Sequence, residues 1–314
     1  MQSNHIIWTM WWQGEENAPQ IVKACLNSMR RNSGSAKVIV LNESNYTNYL
    51  SLPEHIMEKQ KKGAFSLTHF SDIIRVNILS KHGGLWLDST IYVNEPIPSE
   101  IFEQEFFTLK IPGTYKGISN NQWCGFCIGA QSHNIIFAKQ VKLLNAYWEK
   151  ESLMIDYLLI DYFFYMIFHK IEKATELLKQ VVLYEGEIYS MQDNLFNKAY
   201  ELKDFPIFNK LNWKIDYQID NNLYQKILTT EYCEPSQSVS DNKGKLSKIK
   251  NRYLSLLRHF KTLFNYNRLI QYGITIQIYA FLMAIFRTSN SAFITKMSQK
   301  YHQKILKYLE QYWK

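Results

Sequence analysis

The sequence predicts an α/β fold followed by a basic helical region, and three observations lead to this prediction. Short apolar runs that suit buried strands alternate with segments whose apolar residues recur at helical spacing. One predicted helix is joined through Gly83 and Gly84 to an apolar run that ends in Asp88. The sign of the net charge then changes along the chain, which indicates an α/β domain at 1–235 and a basic helical region at 236–314.

The chain opens with a predicted strand, a glycine turn and a helix. Residues 5–10 form an apolar run, Gly14 follows it, and residues 18–29 read as a helix that tolerates Pro19 in its first turn. Many nucleotide-binding α/β folds begin with this order of elements. Since the chain has neither a Gly-x-Gly-x-x-Gly run nor a Walker lysine, a dinucleotide enzyme and a P-loop ATPase are disfavoured.

A helix, a turn and a strand form the central unit of the prediction. Helical spacing covers residues 72–81, and Ser71 stands at the N-cap position. The glycine pair ends the helix in a left-handed C-cap, and the apolar run 85–87 is short enough for a buried strand. This strand delivers Asp88 to the rim of the sheet, where α/β folds place ligand chemistry.

Asp72 and Arg75 lie three residues apart on one face of that helix. Side chains at this spacing are neighbours, so the two can reach the same ligand or each other. The sequence leaves both alternatives open.

The other elements of the α/β part follow from the same patterns. They are strands at 37–41, 106–110 and 123–130, and helices at 53–62, 135–147 and 153–168. The last of these helices is intensely apolar but contains Asp156 and Asp161. Because residues five apart differ by about 140° around a helix, at most one of the two points into the core or a cleft. Burial of such a carboxylate costs several kcal/mol unless it is paired or functional.

Composition bounds the environment of the protein. The 21 tyrosines and eight tryptophans suit stacking on bases and sugars, although most aromatic side chains pack in a core. The four cysteines are scattered and the first residues lack a secretion signal, which predicts a reduced, cytoplasmic protein. Cys124 and Cys127 form a lone pair without a histidine at metal spacing, which disfavours a zinc or redox site.

The C-terminal region is strongly basic. Residues 243–314 carry ten Lys and four Arg against one acid, a net charge of +13, whereas the remaining 22 bases and 27 acids give −5. Apolar residues at helical spacing over 246–264 predict a basic amphipathic helix, and residues 269–286 contain no charge. This pattern favours peripheral or monotopic attachment to an anionic membrane surface. The alternative is a helical subdomain packed on the core.

The motif Ser71-Asp72-x-x-Arg75, the Gly-Gly turn and the strand ending at Asp88 together resemble the core of a known enzyme family. They are similar to retaining GT-A glycosyltransferases, which range from clostridial glucosylating toxins through glycosyltransferase family 32 to the capsular polysaccharide synthesis family. The last of these is the nearest match. Where many relatives carry Asp-x-Asp, this chain reads Asp88-Ser89-Thr90, so threonine replaces the second carboxylate.

The resemblance implies a GT-A, Rossmann-like fold that binds a nucleotide sugar. It implies transfer of a hexose, galactose or glucose, from a UDP-hexose to a saccharide linked to undecaprenyl diphosphate, with retention at the anomeric carbon. It also implies a divalent metal, Mn²⁺ or Mg²⁺, and a site of action at the cytoplasmic face of the cell membrane.

Site residues are carried over from the resemblance by position. The uracil and ribose would lie against Trp8, Trp12, Gln13 and Gly14, and core packing is the alternative role of Trp11 and Trp12. The rest of the donor would contact Asp72, Arg75, Gly84, Ser89 and Lys214, with Lys214 on the diphosphate. Asp88 and Thr90 would hold the metal, and Asp161 would face the donor sugar as a second catalytic carboxylate, its alternative being a cap or a buried tyrosine pair.

Two functions of other classes compete with the enzyme. The missing second aspartate suits a non-catalytic scaffold of capsule assembly. The basic tail suits a nucleic-acid-binding protein, but no recognition motif accompanies it and its apolar stripe fits lipid better, so no nucleic-acid partner is expected.

Overall fold

A computed structural model describes residues 5–113, 117–195, 204–215, 222–229 and 292–313. The strands in this part of the chain are β1 (Ile6–Met10), β2 (Lys37–Leu41), β3 (Gly84–Leu87), β4 (Ile91–Val93), β5 (Phe106–Thr108), β6 (Cys127–Ala130) and β7 (Phe208–Lys210). The helices are α1 (Gln20–Asn32), α2 (Glu54–Lys61), α3 (Leu67–His82), α4 (Glu100–Glu103), α5 (Ile135–Lys150), α6 (Leu159–Lys170), α7 (Glu172–Gln180), α8 (Ser190–Asn194), α9 (Asn222–Thr229) and α10 (Ala292–Leu309).

A five-stranded mixed sheet forms the centre of the molecule. Its order is β2-β1-β3-β6-β5, with β1 parallel to both neighbours and β6 antiparallel to β3 and β5. A separate antiparallel pair joins β4 to β7. The predicted α/β, Rossmann-like fold is confirmed.

Side chains alternate between the two faces of the sheet. Trp8 and Trp86 point into a core shared with α2, α3, α5 and α6, whereas Ile7, Leu85 and Leu87 point into a second core with α1 and the β4–β7 pair. Successive residues of a strand face opposite sides, so a strand buried on both sides is apolar throughout. The short apolar runs of the sequence therefore mark the central strands.

Helix α3 begins earlier than its sequence pattern predicts. Ser66 is the N-cap, and its Oγ accepts the backbone N–H of His69 at 3.3 Å. Ser71 therefore lies inside the helix, and the prediction that it is the N-cap is wrong. Ser66, five residues before Ser71, supplies the hydroxyl that accepts a free backbone N–H of the first turn. The helix therefore begins directly after Ser66.

The glycine pair after α3 is required by backbone geometry. Gly83 and Gly84 have φ of 67° and 97°, as the predicted turn demands. A Cβ on Gly84 would lie 2.6 Å from the carbonyl oxygen of Ile6, and one on Gly83 would lie 2.5 Å from the backbone nitrogen of Ser132. The pair lets β3 approach its neighbours closely.

The apolar segment around Asp156 is only partly helical. Because α6 begins at Leu159, Asp156 precedes it, and the predicted 140° between the two aspartates does not apply. The Oδ1 atom of Asp156 accepts the N–H of Leu158 at 2.7 Å, and Oδ2 accepts the hydroxyl of Tyr301. Asp161 lies in the first turn of α6.

The last helix packs on the α/β body. Tyr301, Ile305 and Leu309 are buried in the core that contains α5 and α6. The hydroxyls of Tyr308 and Tyr312 both donate to the carboxylate of Glu151. Helix α10, at the end of the basic region, is thus part of the same body. For α10 the structure agrees with the alternative of a helical subdomain packed on the core.

Most of the basic region lies outside the described residues. This holds for the amphipathic stretch 246–264 and the uncharged stretch 269–286. Among the helices that the structure describes, none combines the length and hydropathy of a membrane span.

We expect Ile305→Ala to lower the free energy of unfolding by about 2–5 kcal/mol, because it removes a fully buried side chain between α10 and the core. Urea unfolding would measure the change, with the exposed neighbour Gln303→Ala as the control. Equal stability of the two variants would contradict the packing of α10.

Candidate functional site

A cleft of about 700 Å³ opens at the carboxyl ends of β1 and β3. The edge where parallel strands end is the usual ligand site of an open α/β sheet. Of the predicted site residues, those that line the cleft are Trp12, Gln13, Asp72, Asp88, Ser89, Thr90 and Lys214.

Asp88 lies at the centre of this cleft, directly after β3. Its Oδ1 accepts the indole N–H of Trp86 at 3.0 Å and lies 3.5 Å from a guanidinium nitrogen of Arg75. Its Oδ2 accepts an N–H of the Lys210 ammonium at 2.7 Å. Burial favours the neutral acid, but Lys210 and Arg75 outweigh it and lower the pKa of Asp88 below its ordinary value. The carboxylate is therefore ionised and fixed.

Lys210 is the main site residue that the sequence did not reveal. It ends β7, where it pairs in register with Ile91 of β4, three residues after Asp88. Its side chain lines the cleft, and Nζ lies 5.1 Å from the ring centroid of Phe126. No local motif marks this lysine, since the pairing of β4 with β7 is what brings it to Asp88.

Asp72 and Arg75 bind each other. The Arg75 guanidinium donates to Asp72 and to the carbonyl of Gly125, and it stacks 5.5 Å above the ring of Trp86. Arg75 is 5% exposed and does not line the cleft, whereas Asp72 does. The position of Arg75 corrects the expectation that it contacts the donor: it supports the floor of the cleft from below.

A buried histidine lies beside Asp72. The Nδ1 atom of His69 lies 3.5 Å from Asp72 Oδ2, while Nε2 accepts the indole N–H of Trp148 at 3.2 Å. Nδ1 has no hydrogen-bond partner among the described residues, so Arg75 is the residue that holds Asp72 in place.

Close packing accounts for Gly125 as well. A Cβ at this position would lie 3.3 Å from a guanidinium nitrogen of Arg75. The contact with Arg75 therefore accounts for a glycine at this position. The structure also leaves Gly125 outside a strand, because β6 begins only at Cys127.

Tryptophans form the wall opposite Asp88. Trp11 contacts Trp213 edge to face with centroids 5.5 Å apart, and Trp213 remains 43% exposed. Trp12 lines the cleft while its ring packs against Phe70 at 5.2 Å. Trp12 therefore packs against the core and also lines the cleft, and its contact with a nucleotide stays a prediction.

Three predicted donor contacts lie away from the cleft wall. Trp8 is 1% exposed, and its indole N–H donates to the carbonyl of Gly83 at 2.9 Å, so it packs in the core. Gly84 abuts β1, as described above. Gly14 has φ of 87° and caps a short 3₁₀ turn, which accounts for glycine there. Their positions correct the expectation that these residues touch the nucleotide.

Asp161 lies behind the cleft and does not line it. Its Oδ1 accepts the indole N–H of Trp123 at 2.7 Å. Burial raises the pKa of Asp161 to about 7, against the opposing effect of the Trp123 hydrogen bond. The carboxyl therefore titrates near neutral pH.

Two tyrosines and a glutamine at the mouth of the cleft were also missed by sequence reasoning. Tyr157 is 62% exposed and Tyr189 is 48% exposed, and Gln192 lies beside them. Their segments carry no motif, so only the fold brings them to the site.

The described residues do not fit the divalent cation that the resemblance implies. Both oxygens of Asp88 already accept hydrogen bonds, and two cationic side chains lie within 3.5 Å of them. Thr90 adds one hydroxyl beside the cleft. In the part of the chain that the structure describes, no three His, Cys, Asp or Glu side chains cluster as a metal site.

The cysteines are no better suited to a metal. Cys25, Cys124 and Cys127 are free thiols in the core. Burial raises the pKa of Cys124 to about 12, which disfavours the thiolate that metals and redox chemistry need.

Comparison with known protein families identifies the family of the chain. No curated protein matches the chain. The family model described as "Capsular polysaccharide synthesis protein" matches residues 1–230, which include the sheet, the cleft and Lys210. The chain therefore belongs to the capsular polysaccharide synthesis family.

Proposed function

We propose that this protein is a retaining glycosyltransferase that transfers a hexose, galactose or glucose, from a UDP-sugar to a growing capsule saccharide. The observation that carries the proposal is the Asp88–Lys210 pair, fixed at the end of a central parallel strand inside a cleft with an aromatic wall. Cationic and hydrogen-bonding groups in such a cleft suit a diphosphate, and indole rings suit a base or a sugar. Membership of the capsular polysaccharide synthesis family supports a transferase that acts in capsule biosynthesis.

In this proposal the aromatic wall binds the nucleoside. Trp12 and Gln13 follow β1 and lie where the uracil and ribose enter, with Trp11 and Trp213 beside them. Tryptophan offers a flat apolar face together with an N–H donor, a combination that suits a base next to a polar ribose.

The floor of the cleft binds the sugar. Asp72, oriented by Arg75, presents carboxylate oxygens that accept hydrogen bonds from sugar hydroxyls. Ser89 lines the same floor next to Asp88. Arg75 is a positioning residue, since it acts through Asp72.

Transfer breaks the bond between the anomeric carbon and the diphosphate oxygen. The electron pair goes to the diphosphate, while the acceptor hydroxyl bonds to the anomeric carbon and passes its proton to the departing diphosphate oxygen. Lys210 and Lys214 stabilise the charge that develops on the leaving group. A divalent cation would supply the same stabilisation if bound. Asp161, one layer behind, supports the positive charge of the sugar when ionised.

The acceptor that we propose is a saccharide on undecaprenyl diphosphate at the cytoplasmic face of the membrane. The motivation is the +13 charge of residues 243–314, since each basic residue near an anionic surface adds on the order of 1 kcal/mol of attraction. Attachment would be peripheral or monotopic.

We expect the full chain to release UDP from UDP-glucose or UDP-galactose, and Asp88→Ala to lower that rate by about 100-fold or more, the scale for removing one preorganised electrostatic group. A coupled assay for UDP would measure this, with the exposed Glu95→Gln as the control. If the wild type neither releases nor binds UDP, the scaffold alternative gains and the enzyme proposal fails.

Arg75→Met should lower the free energy of unfolding by about 3–5 kcal/mol, because it leaves the Asp72 carboxylate without its buried partner. The double variant Asp72→Asn, Arg75→Met should recover part of this loss. Urea unfolding of the three proteins tests both statements. A single variant as stable as the wild type would show that Arg75 does not support the floor.

The contribution of Asp161 to stability should fall as pH rises from about 4 to about 7. Burial raises the pKa of Asp161 from its ordinary value of 3.8 to about 7, so this group binds more protons in the folded state than in the unfolded state in that window. Asp161→Asn keeps an acceptor for Trp123 but has no proton to lose. Its stability relative to wild type should therefore increase over the same window, by a few kcal/mol at most. The measurement is the free energy of unfolding of both proteins at pH 4.5 and at pH 8. The same difference between the two proteins at both pH values would contradict the raised pKa of Asp161.

A further inference from the structure

We propose that Lys210, assisted by Lys214, binds the donor diphosphate in place of a divalent cation, so that nucleotide binding by this chain is independent of metal. The inference rests on the proposed function, because it assumes that the cleft takes a nucleoside diphosphate.

The first support is the state of Asp88. Trp86 and Lys210 each donate a hydrogen bond to one of its two oxygens, and a guanidinium nitrogen of Arg75 lies 3.5 Å from Oδ1. A metal ion on Oδ2 would have to displace an ammonium held at 2.7 Å, and a metal ion on Oδ1 would meet a guanidinium at 3.5 Å. Like charges at such separations in a partly buried site repel strongly. The carboxylate is already neutralised by the protein.

The second support is the charge of the cleft floor. Asp72 and Asp88 contribute two negative charges, and Arg75 and Lys210 contribute two positive charges, so the four cancel. Lys214 on the cleft wall then makes the balance positive. A neutral-to-positive floor attracts a diphosphate and gives a divalent cation no electrostatic reason to bind.

The third support is the ligand set. Mg²⁺ and Mn²⁺ are held in proteins by carboxylates and other oxygen ligands. Around Asp88 the described residues offer the hydroxyls of Ser89 and Thr90, while Asp72 is engaged by Arg75. A threonine at position 90 agrees with a site that needs no second carboxylate as a metal ligand.

Lys210 is positioned to bind the diphosphate in place of a metal ion. Its position is fixed by the β4–β7 register and by the bond to Asp88, and its ammonium lines the cleft. An ammonium has three donors, and Asp88 takes one of them, so the others can reach phosphate oxygens. The charge is thus in place before the ligand arrives, which favours stabilisation of a leaving diphosphate.

Calorimetric titration of UDP into the full chain tests the inference, once in EDTA and once in Mn²⁺. We expect the dissociation constant in EDTA to lie within about twofold of that in Mn²⁺. Lys210→Met should weaken binding about 10- to 100-fold in both buffers, which is the scale for one charge-assisted hydrogen-bonding group. Lys210→Arg should keep most of the affinity, and the exposed Lys179→Met should bind as wild type.

The outcomes separate the two proposals. UDP binding that requires Mn²⁺ overturns the inference and leaves the glycosyltransferase standing, as does normal binding by Lys210→Met. Absence of UDP binding in both buffers overturns the proposed function together with the inference. If Lys210→Met does not fold, the wild-type comparison and Lys214→Met, whose side chain is exposed, still decide, because both address the same diphosphate in EDTA.

Discussion

An ionised carboxylate at the rim of a buried strand must be paired, and the pairing of Asp88 organises this site. Desolvation of a lone carboxylate costs several kcal/mol, so partners have to approach it. Here they are an ammonium, an indole and a guanidinium. Each comes from a different element, which ties the end of β3 to β7 and α3. The geometry of the cleft floor is a consequence of satisfying this one group.

Preorganisation follows from the same pairing. Arg75 lies between Asp72 and Asp88, stacks on Trp86 and bonds to a loop carbonyl, so it cannot move without disturbing all of them. Lys210 is held by a β-bridge on one side and by Asp88 on the other. Groups fixed before the ligand binds need no reorganisation during reaction, and this makes them effective in catalysis. The polar floor is thus both a structural and a chemical unit.

The body of the protein extends beyond the α/β part. Glu151, at the end of α5, is buried and accepts the hydroxyls of Tyr308 and Tyr312, so the carboxyl end of the chain closes over the helical side of the core. This arrangement places at least residues 292–313 with the α/β part and not with an independent tail. The proposed membrane attachment therefore concerns the basic stretch that precedes α10.

The sequence by itself determined the α/β class, the helix–turn–strand unit, the Gly83–Gly84 turn and the position of Asp88. These features depend on apolar periodicity and on backbone conformations that neighbouring residues impose. A few consecutive residues are therefore enough to predict them. Only the tertiary structure decided that Lys210 neutralises Asp88, that Arg75 binds Asp72 and does not line the cleft, and that Trp8 packs in the core. Those outcomes depend on strand register and on which face of an element is covered, and contacts between residues more than a hundred positions apart leave no local pattern in the chain.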